Sequence, residues 1–186
     1  WCIHPADKVG AVPVIGGTKT PTLSKIAAAQ PDLVVMDRDE NPKSVHDWCI
    51  ANGFPTFVCH VRHPSEVPSM LRELGKAVER SDAAEVHAQA VERALLAAPV
   101  TGERTGLPLI WLKPLMAANG TTYAGNMLAC AGFNVPDIEP DGTGYPEVTP
   151  EIIVENGVTD VFLSCEPHEF TNEEGESLAE AFRALT

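Results

Sequence analysis

Polar and aromatic side chains follow the apolar segments of this chain. Ligand-binding residues commonly lie at such positions, directly after buried strands. In an open parallel sheet, ligands bind beyond the carboxyl ends of the strands, so the residues that end or follow each strand are the first candidates. The candidates selected in this way are Trp1, Thr18, Lys19, Asp39, Arg62, Lys113, Tyr145, Glu166 and His168. We therefore predict a binding site made from several loops.

The chemistry of these candidates indicates binding of a small molecule. A flat aromatic ligand needs aromatic faces and a few polar anchors, which Trp1 and Tyr145 would help to supply. An anionic ligand such as a carboxylate chelate would find cations at Lys19, Arg62 and Lys113, and Arg38 adds a fourth. For each cation, a solvated surface position is the competing interpretation.

A direct metal site is an alternative, because the chain has six histidines. A first-row metal needs three or four converging ligands. The histidines that could face a site are His4, His60 and His168, and the other possible ligands are Cys2, Cys165 and Glu166. A histidine could also coordinate the metal of a bound chelate. We predict no dedicated metal site.

Catalysis is a further alternative, because Cys165 and His168 could form a nucleophile and its base. Three residues of spacing in a loop are weak support, and no Asn or Asp is clearly placed to orient the imidazole. A GxSxG motif is absent, and Gly16-Gly17-Thr18-Lys19 lacks the frame of a phosphate-binding loop. We predict that the chain is not an enzyme and uses no catalytic cofactor.

Composition restricts the possible partners. The 186 residues carry a net charge of −13, which argues against nucleic acid because phosphates would repel the chain. No apolar run approaches the ~20 residues of a membrane span, and no signal peptide is evident. The five cysteines include no CxxC pair, and Cys49 and Cys59 have the apolar surroundings of core residues.

The elements that position these residues alternate between helix and strand. Short apolar runs at 33–36 and 55–59 are separated by a helix that begins after Asn41-Pro42 and ends at Asn52-Gly53. This alternation predicts a parallel sheet. Apolar residues at helical spacing then continue over 76–98, which would span roughly 35 Å as one helix. That length suits a connection between two lobes.

A weak internal repeat also predicts two lobes. Residues 16–40 and 143–167 share an order of turn, short helix, strand and polar loop at an offset of 127 positions. The identical pairs are Gly17 and Gly144, Thr22 and Thr149, Ile26 and Ile153, and Val34 and Val161. We predict lobes at 1–75 and 99–186 that are joined by the helix at 76–98.

Three stretches carry a family resemblance. They are VIGGTKTPTLSKIAAAQPDLVV, LIWLKPLMAANGTTYAGNMLACAGFN, and YPEVTPEII followed by VFLSCEPHEF. They resemble the helical-backbone substrate-binding proteins of ABC importers, which take up cobalamin, ferric siderophores or haem. The similarity covers nearly the whole chain, and the cobalamin-binding-like branch is the nearest in appearance.

The resemblance implies an α/β fold of class III periplasmic binding proteins, in which two parallel-sheet lobes are joined by one long helix. It implies a metal chelate, such as cobalamin, haem or a ferric siderophore, in the cleft between the lobes. By the family pattern, we expect a further strand and helix at each end, so both lobes look incomplete. The implied location is periplasmic or tethered outside the membrane, although the sequence leaves a cytoplasmic location open.

The resemblance also implies docking to an ABC permease. Members of this family use one surface acid on each lobe to meet arginines of the permease. Glu151 matches the second-lobe position, whereas Ser24 stands at the first-lobe position and cannot form such a pair. The first contact would then move to another acid, such as Asp32 or Asp39. A plain helix-dipole role is the alternative for Glu151.

Overall fold

The chain folds into α-helices and short β-strands. The computed structural model describes residues 5–99, 102–139 and 142–185. The helices are α1 (Ala6–Val9), α2 (Leu23–Ala29), α3 (Lys43–Ala51), α4 (Val67–Ala77), α5 (Ser81–Leu96), α6 (Tyr123–Cys130), α7 (Pro150–Glu155) and α8 (Asn172–Arg183). The strands are β1 (Val34–Asp37), β2 (Thr56–Cys59), β3 (Gly106–Trp111), β4 (Met116–Ala117) and β5 (Asp160–Leu163). None of these helices is long and apolar enough to cross a membrane.

The chain divides into two compact units. The first comprises the described residues up to His60 together with Met70–Glu85, and the second comprises Val61–Ser69 and the described residues from Val86 onward. The chain therefore passes between the units more than once. The predicted lobe boundaries at 75/76 and 98/99 stay a prediction.

The first unit is built on a two-stranded parallel sheet. Val34 of β1 pairs with Thr56 of β2, and the register continues to Asp37 and Cys59. Two helices cover one face and form a core of Ile26, Met36, Val45 and Cys49. The sequence pattern of apolar runs separated by a helix predicted this parallel pair correctly, because a crossover helix favours parallel pairing.

The second unit has a three-stranded sheet in the order β4-β3-β5. Strand β3 pairs in parallel with β5, and Leu107 and Leu109 of β3 are fully buried in the core. The antiparallel strand β4 was not predicted, since two residues are too few to show an alternating pattern. The parallel pair again agrees with the α/β fold that was predicted.

The predicted continuous helix at 76–98 is wrong in its first part. Helix α4 ends at Ala77, and α5 begins at Ser81 after a turn in which Glu79 adopts a positive φ of 56°. A side chain on Gly75 would lie 2.2 Å from the Cβ of Ala84, so this glycine permits α4 and α5 to pack closely. The helical periodicity masked the break, because Val78–Arg80 contains neither glycine nor proline. The 16 residues of α5 span about 24 Å.

An ion pair joins the amino ends of β3 and β5. Arg104 Nε donates to Asp160 Oδ2 at 2.8 Å, and a second guanidinium nitrogen contacts Asp160 Oδ1. Asp160 also accepts a hydrogen bond from the Thr159 hydroxyl at 2.7 Å. Hydrogen bonding from Arg104, and then from Thr159, lowers the pKa of Asp160. The ion pair therefore stabilises the pairing of β3 with β5 at the point where their parallel register begins.

We expect Asp160→Asn to lower the stability of the chain at neutral pH and to flatten its acid dependence. The pKa of Asp160 is lower in the folded chain than in the unfolded chain, so its contribution is present above the unfolded pKa and is lost as pH falls through the folded pKa. Urea unfolding from pH 7 to pH 3 measures this difference. Exposed Asp32, changed to Asn, is the control, and an equal pH dependence of the two variants would contradict the assignment.

Candidate functional site

The carboxyl end of β1 is braced against the preceding glycine-rich turn. Asn41 Nδ2 donates to the Thr18 carbonyl at 2.8 Å, and the Thr18 hydroxyl donates to Glu40 Oε2 at 3.2 Å. Lys19 Nζ contacts the Asp39 carbonyl and lies 3.7 Å from Glu40 Oε2. The structure therefore brings together three predicted site residues, Thr18, Lys19 and Asp39, at one edge of the first unit.

The loop after β1 is fixed by its own side chains. Asp37 Oδ1 accepts the N–H groups of Asp39 and Glu40, and Asn41 Oδ1 accepts the N–H of Asp37 at 2.8 Å. Lys19 remains 60% exposed, and surface ion pairs contribute only about 0–1 kcal/mol. An anionic ligand group could therefore replace Glu40 as the partner of the Lys19 ammonium group at a small free-energy cost.

An aromatic cluster, which comprises Trp111, His168 and Phe170, lies at the carboxyl edge of the second unit. The rings of Trp111 and His168 meet edge to face with centroids 5.7 Å apart, and those of His168 and Phe170 are 4.6 Å apart. The indole N–H of Trp111 donates to the Lys113 carbonyl at 3.0 Å, which fixes the ring. Trp111 keeps 39% of its surface exposed. The cluster thus presents an oriented aromatic face.

The start of α8 holds His168 in place. His168 Nε2 lies 3.2 Å from Glu174 Oε2, and the same oxygen accepts the N–H of Thr171 at 2.9 Å in a capping box. The hydrogen bond from Thr171 is the main cause that lowers the pKa of Glu174, and His168 adds to it. The carboxylate is therefore charged at neutral pH and orients the imidazole.

Two buried polar atoms lack a hydrogen-bond partner among the described residues, His60 Nδ1 and Ser164 Oγ. Each residue directly follows a strand, His60 after β2 and Ser164 after β5. Leaving such an atom unpaired costs about 1–3 kcal/mol, so water or a ligand group usually satisfies it. Unused hydrogen-bonding capacity is thus present at the carboxyl edge of each sheet.

The other predicted residues lie in the second unit or outside the described residues. Arg62 was predicted with the first lobe, but its segment packs in the second unit, where Asn126 Nδ2 donates to its carbonyl at 3.0 Å. Lys113 and Glu166 are exposed in the loops after β3 and β5, and Tyr145 is 37% exposed before the bridge between Met116 and Glu147. Trp1 lies outside the described residues, as do Cys2 and His4.

The predicted docking residues lie at the starts of matching helices. Glu151 is exposed in the first turn of α7, where a hydrogen bond from Thr149 lowers its pKa. Ser24 is exposed in the first turn of α2. Each is thus the second residue of its helix. The two helix starts correspond, but one has a carboxylate and the other has a hydroxyl.

Direct metal binding, and catalysis by Cys165 and His168, are the two alternatives that the sequence leaves open. Within the described ranges, no three His, Cys, Asp or Glu side chains are grouped so that they could hold a metal ion. None of the described contacts of His168 joins it to Cys165, which is exposed. Burial raises the pKa of the Cys49 and Cys59 thiols, which makes them poor nucleophiles.

Comparison with known families and structures assigns the class. The family model described as periplasmic binding protein matches residues 1–182. The chain therefore belongs to the periplasmic binding protein family. No curated protein sequence matches the chain significantly.

Three solved structures define the fold more closely. The periplasmic vitamin B12 binding protein BtuF of Vibrio cholerae has a TM-score of 0.74 at 14% identity, over 98% of this chain and 73% of that chain. A periplasmic heme binding protein from Pseudomonas aeruginosa has a TM-score of 0.74 at 16% identity, over 98% and 68%. The apo heme-binding protein RhuT from Roseiflexus sp. RS-1 has a TM-score of 0.71 at 19% identity, over 87% and 64%. The class III α/β fold that was predicted is thereby confirmed.

Two candidate site residues, Trp111 and Ser164, were not predicted from the sequence. Each lies at the end of a mostly apolar segment, and a residue in such a segment is normally assigned to the core. The available signal was position, since Trp111 is the last residue of β3 and Ser164 follows the last residue of β5. Side chains at strand ends belong to the ligand-facing edge as much as the loops do.

Proposed function

We propose that this chain is the substrate-binding protein of an ABC-type importer and that it binds a metal chelate. The chelate would be a corrinoid such as cobalamin, haem or a ferric siderophore. The observation that carries this proposal is the aromatic cluster at the carboxyl edge of the second unit, in a chain that belongs to the periplasmic binding protein family. Relatives with the same fold are described as binding vitamin B12 or heme.

The cluster suits a flat, conjugated chelate. A half-exposed indole offers a broad face, and aromatic pairs contribute about 0.5–1.5 kcal/mol beyond the area that they bury. The Trp111 ring is already oriented by its bond to the Lys113 carbonyl, so binding would not need to order it. Pre-organisation of this kind lowers the entropic cost of binding.

Cationic side chains near the strand ends would neutralise acidic groups of the chelate. Lys113 is exposed in the loop after β3, and Lys19 remains largely exposed at the edge of the first unit. Haem and many siderophores carry carboxylates, for which lysine is a suitable point charge. Arg62, Asp39, Tyr145, Glu166 and His168 complete the proposed set of ligand contacts, together with Thr18 and Trp1.

Titration with chelates tests the proposal. The 186-residue chain is titrated with hemin, cyanocobalamin and a ferric hydroxamate siderophore, and tryptophan fluorescence is recorded. At least one chelate is expected to bind saturably at equimolar stoichiometry and to quench the fluorescence. Zinc chloride is the comparison ligand: strong zinc binding without chelate binding would contradict the proposal and favour a direct metal site.

We further propose an extracytoplasmic location and docking of the second unit to a membrane permease through Glu151. The acid is exposed and charged at the start of α7, so it is accessible to an arginine. Glu151→Lys is expected to leave chelate affinity unchanged and to abolish stimulation of the importer ATPase. Full stimulation by this variant would show that docking does not depend on Glu151.

A further inference from the structure

A fully buried asparagine joins separate segments beside Tyr145. Asn119 has no exposed surface. Its Oδ1 accepts the N–H of Thr121 at 2.9 Å and the Thr121 hydroxyl at 2.7 Å, and its Nδ2 donates to the Ile138 carbonyl at 2.8 Å. Its own N–H donates to the Gly144 carbonyl at 2.9 Å. The side chain of Asn119 therefore joins Thr121 to Ile138, while the bond to Gly144 comes from its backbone and would persist in Asn119→Ala.

Gly144 packs closely against side-chain atoms of Asn119, Thr121 and Thr122. Gly144 has a φ of +90°, and a Cβ at this position would lie 2.7 Å from Thr122 Cγ2, 2.9 Å from Thr121 Oγ1 and 3.4 Å from Asn119 Oδ1. Only glycine fits this conformation and this close approach. The backbone conformation of Gly144 therefore determines the direction in which the side chain of the next residue, Tyr145, can project.

We propose that Asn119 is a positioning residue that sets the presentation of Tyr145 to the chelate. This inference rests on the proposed function. Because Asn119 is fully buried, it would act indirectly: its Oδ1 and Thr121 line the space in which Gly144 lies. A satisfied buried amide suits this role, because moving it would leave a donor and an acceptor unpaired. Tyr145 remains 37% exposed and is therefore accessible from this fixed backbone.

A double-mutant cycle tests the inference. Asn119→Ala is expected to raise the chelate Kd about tenfold in the wild-type background and less than about twofold in a Tyr145→Ala background. A purely structural loss would weaken binding equally in both backgrounds. Asn134→Ala is the matched control, because its amide also bridges to a backbone carbonyl, that of Gly102 at 3.0 Å, but at the amino end of β3. This control is expected to keep wild-type affinity.

A gentler variant covers the case in which Asn119→Ala does not fold. Thr121→Val removes the hydroxyl bond to Asn119 Oδ1 while it preserves the side-chain volume, and it is expected to show the same background dependence with a smaller effect. Hydrogen exchange supplies a readout without ligand: the amide of Thr121 should exchange faster in Asn119→Ala, since its acceptor is gone.

The outcomes separate this inference from the proposed function. Failure of the wild-type chain to bind any chelate would overturn both. Chelate binding by the wild type, with equal weakening by Asn119→Ala in the two Tyr145 backgrounds, would overturn the positioning role alone. An unchanged exchange rate at Thr121 would contradict the bond on which the role depends.

Discussion

Replacement of Trp111 by alanine is expected to weaken chelate binding by about 10- to 100-fold, or about 1.4–2.8 kcal/mol. The variant removes an oriented aromatic face that is 39% exposed at the carboxyl edge of the second unit. It also removes the ring that packs against His168. Isothermal titration calorimetry with the chelate that binds wild type measures the loss.

Two phenylalanine variants show whether the effect belongs to the face of the indole. Trp111→Phe keeps an aromatic face but loses the N–H bond to the Lys113 carbonyl, so an intermediate affinity is expected. Trp48→Phe is the matched control, because Trp48 stacks on Phe54 beside the core of the first unit. Wild-type affinity in Trp111→Ala would refute the assignment of the aromatic cluster as the binding surface.

Leu109→Ala is expected to destabilise the chain by about 2–5 kcal/mol. Leu109 is a fully buried member of the second core, on the strand that pairs with both β4 and β5. The truncation would leave a cavity in the core that Leu109 shares with Val148 and Ile153. Since small domains have a total stability of about 5–15 kcal/mol, this is a large fraction of the total.

Urea unfolding followed by circular dichroism measures the effect of Leu109→Ala as a lower midpoint at an unchanged slope. Leu96→Ala makes the same chemical change at a side chain that is 88% exposed, and a shift within about 0.5 kcal/mol is expected. Comparable destabilisation by the two variants would show that burial does not decide the effect.

Much of the fold could be predicted because local signals agreed with the tertiary structure. Asn52-Gly53 ended α3 as expected, and Thr149 caps α7 through the N–H of Ile152 at 3.3 Å. The break between α4 and α5 could not be predicted, since the close packing of Gly75 against Ala84 depends on two residues nine positions apart. Helical periodicity shows which face of a helix is apolar, but it does not show where one helix ends and the next packs back against it.

The candidate site was predicted in part, for a related reason. The turn at Thr18-Lys19 and the loop at Asp39 were assigned to the site from their positions after glycine and after a strand, and the structure joins them through Asn41 and Glu40. Arg62 was predicted with the first lobe, whereas Val61–Ser69 belongs to the second unit, because the chain crosses from one unit to the other directly after His60. Contact between segments, rather than order along the chain, determines that membership.

The sequence by itself determined the class of this protein, because alternating apolar strands and capped helices specify an α/β fold and three stretches carry the family resemblance. Only the tertiary structure decided which side chains form the candidate surfaces. The pairing of β3 with β5 brings Trp111 to His168, residues that are 57 positions apart, and Asn119 reaches Ile138 and Gly144 across intervening loops. Such contacts arise from strand pairing and burial of a polar amide, which no local pattern encodes.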